Sequence, residues 1–290
     1  MTIELVVNSA SGDDDPIEFA RTAESLGFHG VSASDHFFRR NAYPHVWVTV
    51  AAMAMATSRV VVGTSFANNL FRSPVEFAQA SLTMQRLSGG RFEAGIGAGW
   101  LAAEVRGGGL QFPEPAVRAR RYREAVQIVA QLFRDGCCQF EGEFYSIDVP
   151  VIGPHCSVAP QLAVSVGGPW TMRNVAPLAD RVELKAGRST RGGDLDMVTL
   201  ASVTRDEIAG MVRQVREVAP DVPIGLFTMI AAGDPDEVAH VSSSLGDGLY
   251  STFVGEPAKV LDSLRSLEDI GIDRVQVSEF VKGSALRLPL

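Results

Sequence analysis

Apolar residues along this chain fall into two alternating patterns. Short runs rich in β-branched residues are separated by longer stretches in which apolar positions recur every three or four residues. The short runs predict strands at Glu4–Asn8, Gly30–Ser34, Val60–Phe66, Arg91–Ile96, Leu162–Val166, Arg181–Leu184, Ile224–Ile230 and Arg274–Val277. Several are continuously apolar, as in Val60-Val61-Val62 and Leu226-Phe227-Thr228-Met229-Ile230. Such runs suit parallel strands covered on both faces.

The longer stretches predict helices with readable ends. Asp14 and Asp15 precede Pro16 as N-cap and first turn, Phe19, Ala23 and Leu26 share one face, and Gly27 closes the helix. A second helix runs from about Arg118 to Phe133, with Tyr122, Ala125, Val126, Val129, Leu132 and Phe133 in one apolar stripe. A third starts at Pro257 and carries Val260, Leu264 and Leu267 to Gly271. The joints Leu26-Gly27-Phe28-His29-Gly30-Val31 and Ile270-Gly271-Ile272-Asp273-Arg274-Val275 share one plan: stop at glycine, bury one apolar residue, turn, enter a strand. Eight strand–helix units with repeated joints predict an α/β fold, a closed (β/α)8 TIM barrel, with an open doubly wound sheet as the alternative.

One segment breaks the rhythm, an insertion of about sixty residues between strands 4 and 5. It holds Gly107-Gly108-Gly109, an arginine-rich helix, and a stretch from Cys138 to Ile147 that reads as a hairpin. Insertions on the loop side of a barrel shape substrate pockets. Arg118, Arg120, Arg121 and Arg123 are expected to form a solvated helix face. No linker rich in Pro, Gly or Ser divides the chain, which predicts a single domain over residues 1–290.

Composition narrows the function classes. Hydrophobic residues make up 46% and charged residues 21% of 290, an ordinary globular balance with room for a large core. A net charge of -8 speaks against nucleic acid as a partner. Cys137, Cys138 and Cys156 are odd in number and form no CxxC, which predicts a reducing compartment and no structural metal. Met1 leads almost directly into the first strand, and no apolar stretch reaches the roughly 18 residues of a membrane span. A cytoplasmic protein that does not engage membranes is expected.

Barrel enzymes act at the C-terminal ends of their strands. Those ends read Ser34-Asp35-His36-Phe37, Gly63-Thr64-Ser65-Phe66-Ala67-Asn68-Asn69, Gly95-Ile96-Gly97-Ala98-Gly99-Trp100, Val166-Gly167-Gly168-Pro169 and Glu183-Leu184-Lys185-Ala186-Gly187-Arg188. His36 is the candidate proton carrier, because a histidine side chain can donate or accept a proton, with Asp35 placed to bias its tautomer; a loop-capping histidine is the bland alternative. The strand-four glycines spell G-x-G-x-G rather than a dinucleotide fingerprint, and no acid follows at the ribose-binding spacing. They would let a flat ring approach the backbone, or simply pack the rim. Gly167-Gly168 precede a short helix predicted from about Trp170, whose first amides suit a phosphate, and Arg188 would add a charge-assisted bond. A plain turn and a surface arginine are the alternatives there. Trp100 would wall a ring or substrate, and Glu104 reads equally well as an acid in a first helical turn.

At these residues the chain resembles the luciferase-like superfamily, and within it the actinobacterial F420-dependent oxidoreductases. The resemblance rests on Ala23-Glu24-Ser25-Leu26-Gly27-Phe28, Ser34-Asp35-His36, Ala56–Thr64, Leu87-Ser88-Gly89-Gly90-Arg91-Phe92 through Trp100, Val166–Pro169 and Phe253-Val254-Gly255-Glu256-Pro257, in the family's order along the whole chain. It implies a TIM barrel, a homodimer, and a cofactor ring lying across the barrel mouth: coenzyme F420, with FMN as the alternative. Asp35 and His36 would sit beside the ring. Thr64, Ser65 and Phe66 match the stretch holding the family's non-prolyl cis peptide, a bulge behind the ring. Ala98, Gly99 and Trp100 match the next contact loop, and Gly167, Gly168 and Arg188 the phosphate site. The implied reaction is hydride transfer between the deazaflavin and a small organic substrate with an activated C=C, C=N or C=O bond, with His36 as the catalytic polar group. An FMN-dependent monooxygenase and a non-catalytic cofactor-binding barrel stand as alternatives. Two positions depart from relatives. The related sugar-phosphate dehydrogenases carry a glutamate where this chain has Trp100, and many relatives read Ala-Asp-Gly at Ala179-Asp180-Arg181.

Overall fold

The computed structural model describes residues 3–9, 15–39 and 42–290. Eight parallel strands, β1 (Glu4–Ser9), β2 (Gly30–Ala33), β3 (Val61–Thr64), β4 (Phe92–Gly97), β5 (Gln161–Val166), β6 (Arg181–Leu184), β7 (Ile224–Ala232) and β8 (Arg274–Glu279), follow the predicted runs to within two residues. β1 pairs with both β2 and β8, Val6 lying opposite Gly30 on one side and Gln276 on the other. That pairing closes the barrel and sets the open sheet aside. β3 ends sooner than its apolar run because the Ser65–Phe66 peptide is cis. The chain bulges there and rejoins the sheet at Ala67 and Asn68, which pair with Ile96 and Gly97 of β4.

Helices α1 (Pro16–Leu26), α2 (Val46–Ala56), α3 (Pro74–Leu87), α4 (Ala102–Gly107), α5 (Pro115–Asp135), α6 (Pro169–Asn174), α7 (Met197–Ala201), α8 (Arg205–Arg216), α9 (Pro235–Leu245) and α10 (Pro257–Arg265) surround the strands. The Asp15 carboxylate caps α1 by accepting from the Ile17 and Glu18 amides, and Gly27 ends it in the left-handed conformation at φ 94°. Asp14, read with it as a cap, lies outside the described residues. Ala23 is buried but Leu26 is exposed, so the apolar face of α1 is narrower than its periodicity implied. α10 stops at Arg265, and a 3₁₀ turn carries the chain on to Ile270, burying Leu267.

The insertion folds back onto α5. Its hairpin pairs Cys138–Glu141 with Ser146–Val149, and the Glu124 carboxylate of α5 accepts from the Glu143 and Phe144 amides in the hairpin loop at 2.7 and 2.9 Å. This corrects in part the expectation of a solvated arginine face: Arg120 is exposed as expected, whereas Arg121 and Arg123 are half-buried. Arg118 is buried, donating to the Pro113 carbonyl at 3.0 Å with its guanidinium 4.3 Å from the Phe112 ring centre. Arg121 donates to the Tyr145 hydroxyl, and Arg120 pairs with Glu143. From the other face of α5 the buried Tyr122 reaches the seam between β4 and β5. Its hydroxyl donates to the Ile96 carbonyl at 2.6 Å and accepts from the Ser165 amide at 3.1 Å. One phenol oxygen thus stands where the next rung of the parallel ladder would fall, and the two strands part at the mouth.

The apolar core lies between strands and helices, where Val7, Val31, Val62, Val164, Val182, Leu226 and Val275 are fully buried. Alternation turns the other set of side chains toward the barrel axis; most are polar or small, with Val6, Val61, Phe227 and Met229 among them. At the floor the Arg274 guanidinium meets Glu93 at 2.9 and 2.6 Å and Glu183 at 3.4 Å, with Arg181 at 3.4 Å from Glu93. Arg181, the departure from the family's glycine, thus belongs to this network. Gly225 is required opposite it, since a Cβ there would come within 2.2 Å of the Glu183 carboxylate. Burial raises the Glu93 carboxyl pKa, but the charge and hydrogen bonds of Arg274 together with the charge of Arg181 outweigh it and hold the group below its ordinary value. For Glu183 burial wins over Arg274 and the value is raised. Above the floor, Gln276 donates to Ser32 at 2.6 Å, Ser32 to Asn8 at 3.1 Å, and Asn8 to Ser34 at 2.9 Å.

Candidate active site

The ends of β2, β3 and β4 meet at one side of the mouth. Asp35 and His36 leave β2 together but face different partners. The buried Asp35 carboxylate accepts from the Asn68 amide at 2.7 Å and is clasped by both terminal nitrogens of Arg72. It pins the chain that follows the cis bulge and does not touch the imidazole. The tautomer role expected of Asp35 falls instead to Glu104. His36 Nδ1 lies 2.9 and 3.0 Å from the two Glu104 carboxylate oxygens, and the Phe37 amide donates to the same carboxylate at 3.1 Å.

Glu104 is fully buried on α4, and that short helix is tied down where the Ala102 amide donates to the Gly193 carbonyl at 2.8 Å. A carboxylate opposite Nδ1 fixes the N–H there and leaves Nε2 to accept or carry a proton toward the mouth. Nothing in the local pattern separated this reading of Glu104 from that of a first-turn acid, because its partner comes from a different strand end.

Aromatic groups frame the imidazole. Trp100 meets it edge-on, ring centres 5.8 Å apart, and Tyr43 lies 5.0 Å away. The Arg39 guanidinium sits 5.4 Å from the Trp100 ring centre. Burial raises the Tyr43 hydroxyl pKa, against the opposing charge of Arg39, so it stays a neutral donor.

The glycines of the β4 end pack the rim, the second of the two readings their sequence offered. A Cβ on Gly95 would fall 2.0 Å from the Thr64 carbonyl oxygen, and one on Gly97 3.2 Å from the Phe66 Cβ. Gly99, at φ 78°, would place a Cβ 2.4 Å from the Asn68 side-chain oxygen. The glycines therefore seat the protein's own cis bulge, and Thr64 clamps that seat by donating to the Gly95 carbonyl at 2.6 Å and accepting from its amide at 3.1 Å. Ser65 is buried with its hydroxyl oxygen unpartnered, and Phe66 and Ala98 are half-buried at the rim.

Across the mouth, β5 and β6 end in touching backbones. A Cβ on Gly167 would approach Gly187 to 2.8 Å, and one on Gly187 would approach the Gly167 carbonyl to 2.3 Å. Gly168 caps α6 and closes its own turn, its amide donating to the Thr171 hydroxyl at 3.3 Å. Arg188 does not aim at this turn; its exposed guanidinium pairs with Glu207 of α8 at 2.6 Å. Lys185 is the cation that enters the mouth. Its ammonium lies 3.5 Å from the Phe227 ring centre and 4.9 Å from that of Phe66. Burial pushes its pKa down to about 7, with the charge of Glu183 opposing.

A closed barrel whose C-terminal mouth joins a cis-peptide bulge, a glycine seat and a carboxylate-held histidine is the architecture of a ring-binding redox barrel. The chain belongs to the luciferase-like monooxygenase family, whose model matches residues 9–242. It is 27% identical over 299 aligned positions to the F420-dependent glucose-6-phosphate dehydrogenase of Intrasporangium calvum, covering 92% of this chain and 89% of that protein. The enzyme of the same name from Amycolatopsis mediterranei is 32% identical over 182 positions, but the match spans only 61% of this chain and 55% of the relative. Among solved structures, an F420-dependent secondary alcohol dehydrogenase bound to an F420–acetone adduct superposes with a TM-score of 0.76 at 19% identity, covering 99% of this chain and 97% of that one. The monooxygenase RslO1 of Streptomyces bottropensis gives 0.75 at 18% identity, covering 96% and 92%. At these identities the two superpositions establish the shared fold.

Proposed function

We propose that this protein is a coenzyme F420-dependent oxidoreductase that transfers hydride between the deazaflavin and a small organic substrate bearing an activated C=C, C=N or C=O bond. The observation that carries the reading is the His36–Glu104 pair beside the Ser65–Phe66 bulge. A proton-handling imidazole and a rigid platform for a flat ring stand at one rim, as hydride transfer needs. The relative from Intrasporangium calvum, alike over nearly its whole length, supports F420 over FMN.

When bound, the deazaflavin supplies a hydride-carrying carbon at ring position 5. The chain's residues do the rest. Thr64, Ser65 and Phe66 hold the platform behind the ring, with the unpartnered Ser65 hydroxyl ready to meet a ring heteroatom. Asp35 fixes the platform through Asn68 and Arg72. Ala98, Gly99 and Trp100 line the edge where the substrate enters. His36 Nε2 takes the proton from an alcohol or returns it to a reduced product. Gly167 and Gly168 receive the phosphate end, and Arg188 joins them only by leaving Glu207, a cheap exchange for an exposed ion pair. Trp100, in place of an acid, argues against sugar phosphate as the substrate. Purified protein is expected to leave F420 unreduced in the presence of glucose 6-phosphate.

The second reading keeps the barrel and exchanges the cofactor for FMN, whose ring permits oxygen activation. The monooxygenase fold neighbour favours it. Titration of the apoprotein with F420 and separately with FMN, followed by ring fluorescence, decides between them. Tighter binding of F420 supports the first reading, preference for FMN the second, and binding of neither removes both. A cofactor-binding barrel without catalysis is ruled out by turnover of any substrate.

We also read the chain as one cytoplasmic domain acting as a homodimer. Among the described residues no helix is long and apolar enough to cross a membrane. α2 is apolar on every side and leaves Val48 and Met55 about 70% exposed, which favours a second copy as its cover. Light scattering should return twice 31.1 kDa, and a mass of one chain removes the dimer.

A further inference from the structure

Arg39 is a cation at the rim that the reading above leaves without a task. It is half-buried, and its guanidinium lies 5.4 Å from the centre of the Trp100 ring. The same indole meets the His36 imidazole edge-on at 5.8 Å, so the cation and the proton carrier flank one side chain. Tyr43 joins them, its ring 5.0 Å from the imidazole and its hydroxyl under the influence of the Arg39 charge. Among the described residues no carboxylate pairs with Arg39. The acids of this rim are committed elsewhere: Asp35 to Arg72 and the Asn68 amide, and Glu104 to His36 and the Phe37 amide.

An aromatic face holds a guanidinium in place but gives its N–H groups only a weak acceptor. The planar fork that remains is matched by a carboxylate, which takes two parallel N–H bonds. Tyr43 adds a neutral O–H donor beside it, since burial raises its pKa and keeps the phenol protonated. One guanidinium and one neutral hydroxyl balance a single negative charge, which suits a carboxylate better than a doubly charged phosphate ester. We propose that Arg39, with Tyr43 beside it, anchors a carboxylate on the substrate, and that the enzyme therefore interconverts a short hydroxy acid and the corresponding oxo acid. The inference rests on the F420 reading and narrows its substrates to one class. In the oxidising direction the carbinol C–H bond breaks and its electron pair leaves as hydride to ring carbon 5. The hydroxyl proton passes to His36 Nε2, the carbonyl forms, and the carboxylate is unchanged. Because guanidinium and imidazole flank one indole, a chain of only a few carbons spans anchor and proton carrier.

The test compares 2-, 3- and 4-hydroxybutanoate with the corresponding hydroxybutanamides, which keep the shape without the charge. Each is offered with F420 to the wild type, Arg39→Met, Arg39→Lys and Tyr43→Phe, and the dissociation constant for F420 is measured on every variant as a control of folding and cofactor binding. In the wild type kcat/KM for one acid should exceed that of its amide by on the order of 100-fold. Arg39→Met should abolish the preference, mainly through KM, and Arg39→Lys should keep part of it. Tyr43→Phe should weaken the acid by about fivefold. Calorimetric titration of the cofactor-free protein with the matching oxobutanoate should show binding that Arg39→Met loses. Equal use of acids and amides, no turnover of any acid while F420 is bound, or a preference that survives in Arg39→Met overturns the proposal and leaves the cofactor reading intact. Inorganic phosphate that competes as strongly as the acid overturns the carboxylate assignment. A wild type that does not bind F420 sinks the cofactor reading and takes the proposal with it.

Discussion

Glu104 and His36 lie 68 residues apart in the chain and meet at 2.9 Å, a fully buried carboxylate holding an imidazole at the rim of the mouth. Replacing Glu104 with glutamine keeps the shape but removes the charge that fixes the N–H at Nδ1. Turnover with F420 and any accepted substrate should fall roughly 10- to 100-fold, with F420 affinity little changed. Ring nitrogen shifts of His36 should show a mixed tautomer in the variant and one tautomer in the wild type. An unaltered tautomer together with full turnover would remove the pair from the mechanism.

Lys185 costs the empty protein stability. Its folded-state pKa, near 7, lies below the ordinary 10.5, so the unfolded chain binds the proton more tightly. The penalty is full at and below pH 7, shrinks as pH climbs, and vanishes above about 10.5. Lys185→Met should therefore stabilise the apoprotein by on the order of 1 kcal/mol at pH 6.5, discounted for partial exposure, and by less at pH 9.5. Urea midpoints at the two pH values measure this, and a gain that grows with pH would contradict it.

At the barrel floor the ions hold one another. Arg274→Met leaves Glu93 and Glu183 facing each other in the interior with only Arg181 nearby. A loss of about 3–5 kcal/mol is expected in chemical denaturation. A loss under 1 kcal/mol would mean that water already reaches the floor.

The Tyr122 hydroxyl bridges two backbone groups at the β4–β5 seam, so Tyr122→Phe should orphan the Ile96 carbonyl and the Ser165 amide. The expected cost is about 1–3 kcal/mol, with hydrogen exchange at Ser165 accelerated ahead of the rest of β5. Exchange at wild-type rates would show that the strands close the gap themselves.

Periodicity placed all eight strands because each is covered by helices and reads as an apolar run, a local property. It overran β3, since a cis peptide at Ser65–Phe66 leaves no hydrophobic trace and was named only through family resemblance. Arg118 of α5 was misjudged for a related reason: charge pattern alone does not reveal that Phe112 and Pro113 will fold over it. His36, Thr64 and Gly95 were legible as strand-end residues, but what they touch was not. The partners Glu104 and Arg72 arrive from elsewhere in the chain, and the space beside Gly95 belongs to Thr64. Strand ends tell where chemistry gathers, and only the closed barrel tells which side chains face one another.

The polarity of the barrel axis bears on how such a protein diversifies. Cohesion resides in the apolar sleeve between strands and helices, so the axis is free to hold charge without dissolving the fold. Its two ends are not equally free to drift. At the floor, Arg274, Glu93, Glu183 and Arg181 depend on one another, and exchange of any one strands the rest. At the mouth, among the described residues, no ion pair ties Lys185 or Trp100 to a fixed partner, so each can be replaced singly. New specificity should accumulate from the rim downward and halt at the ionic floor, which acts as a ratchet on the lineage.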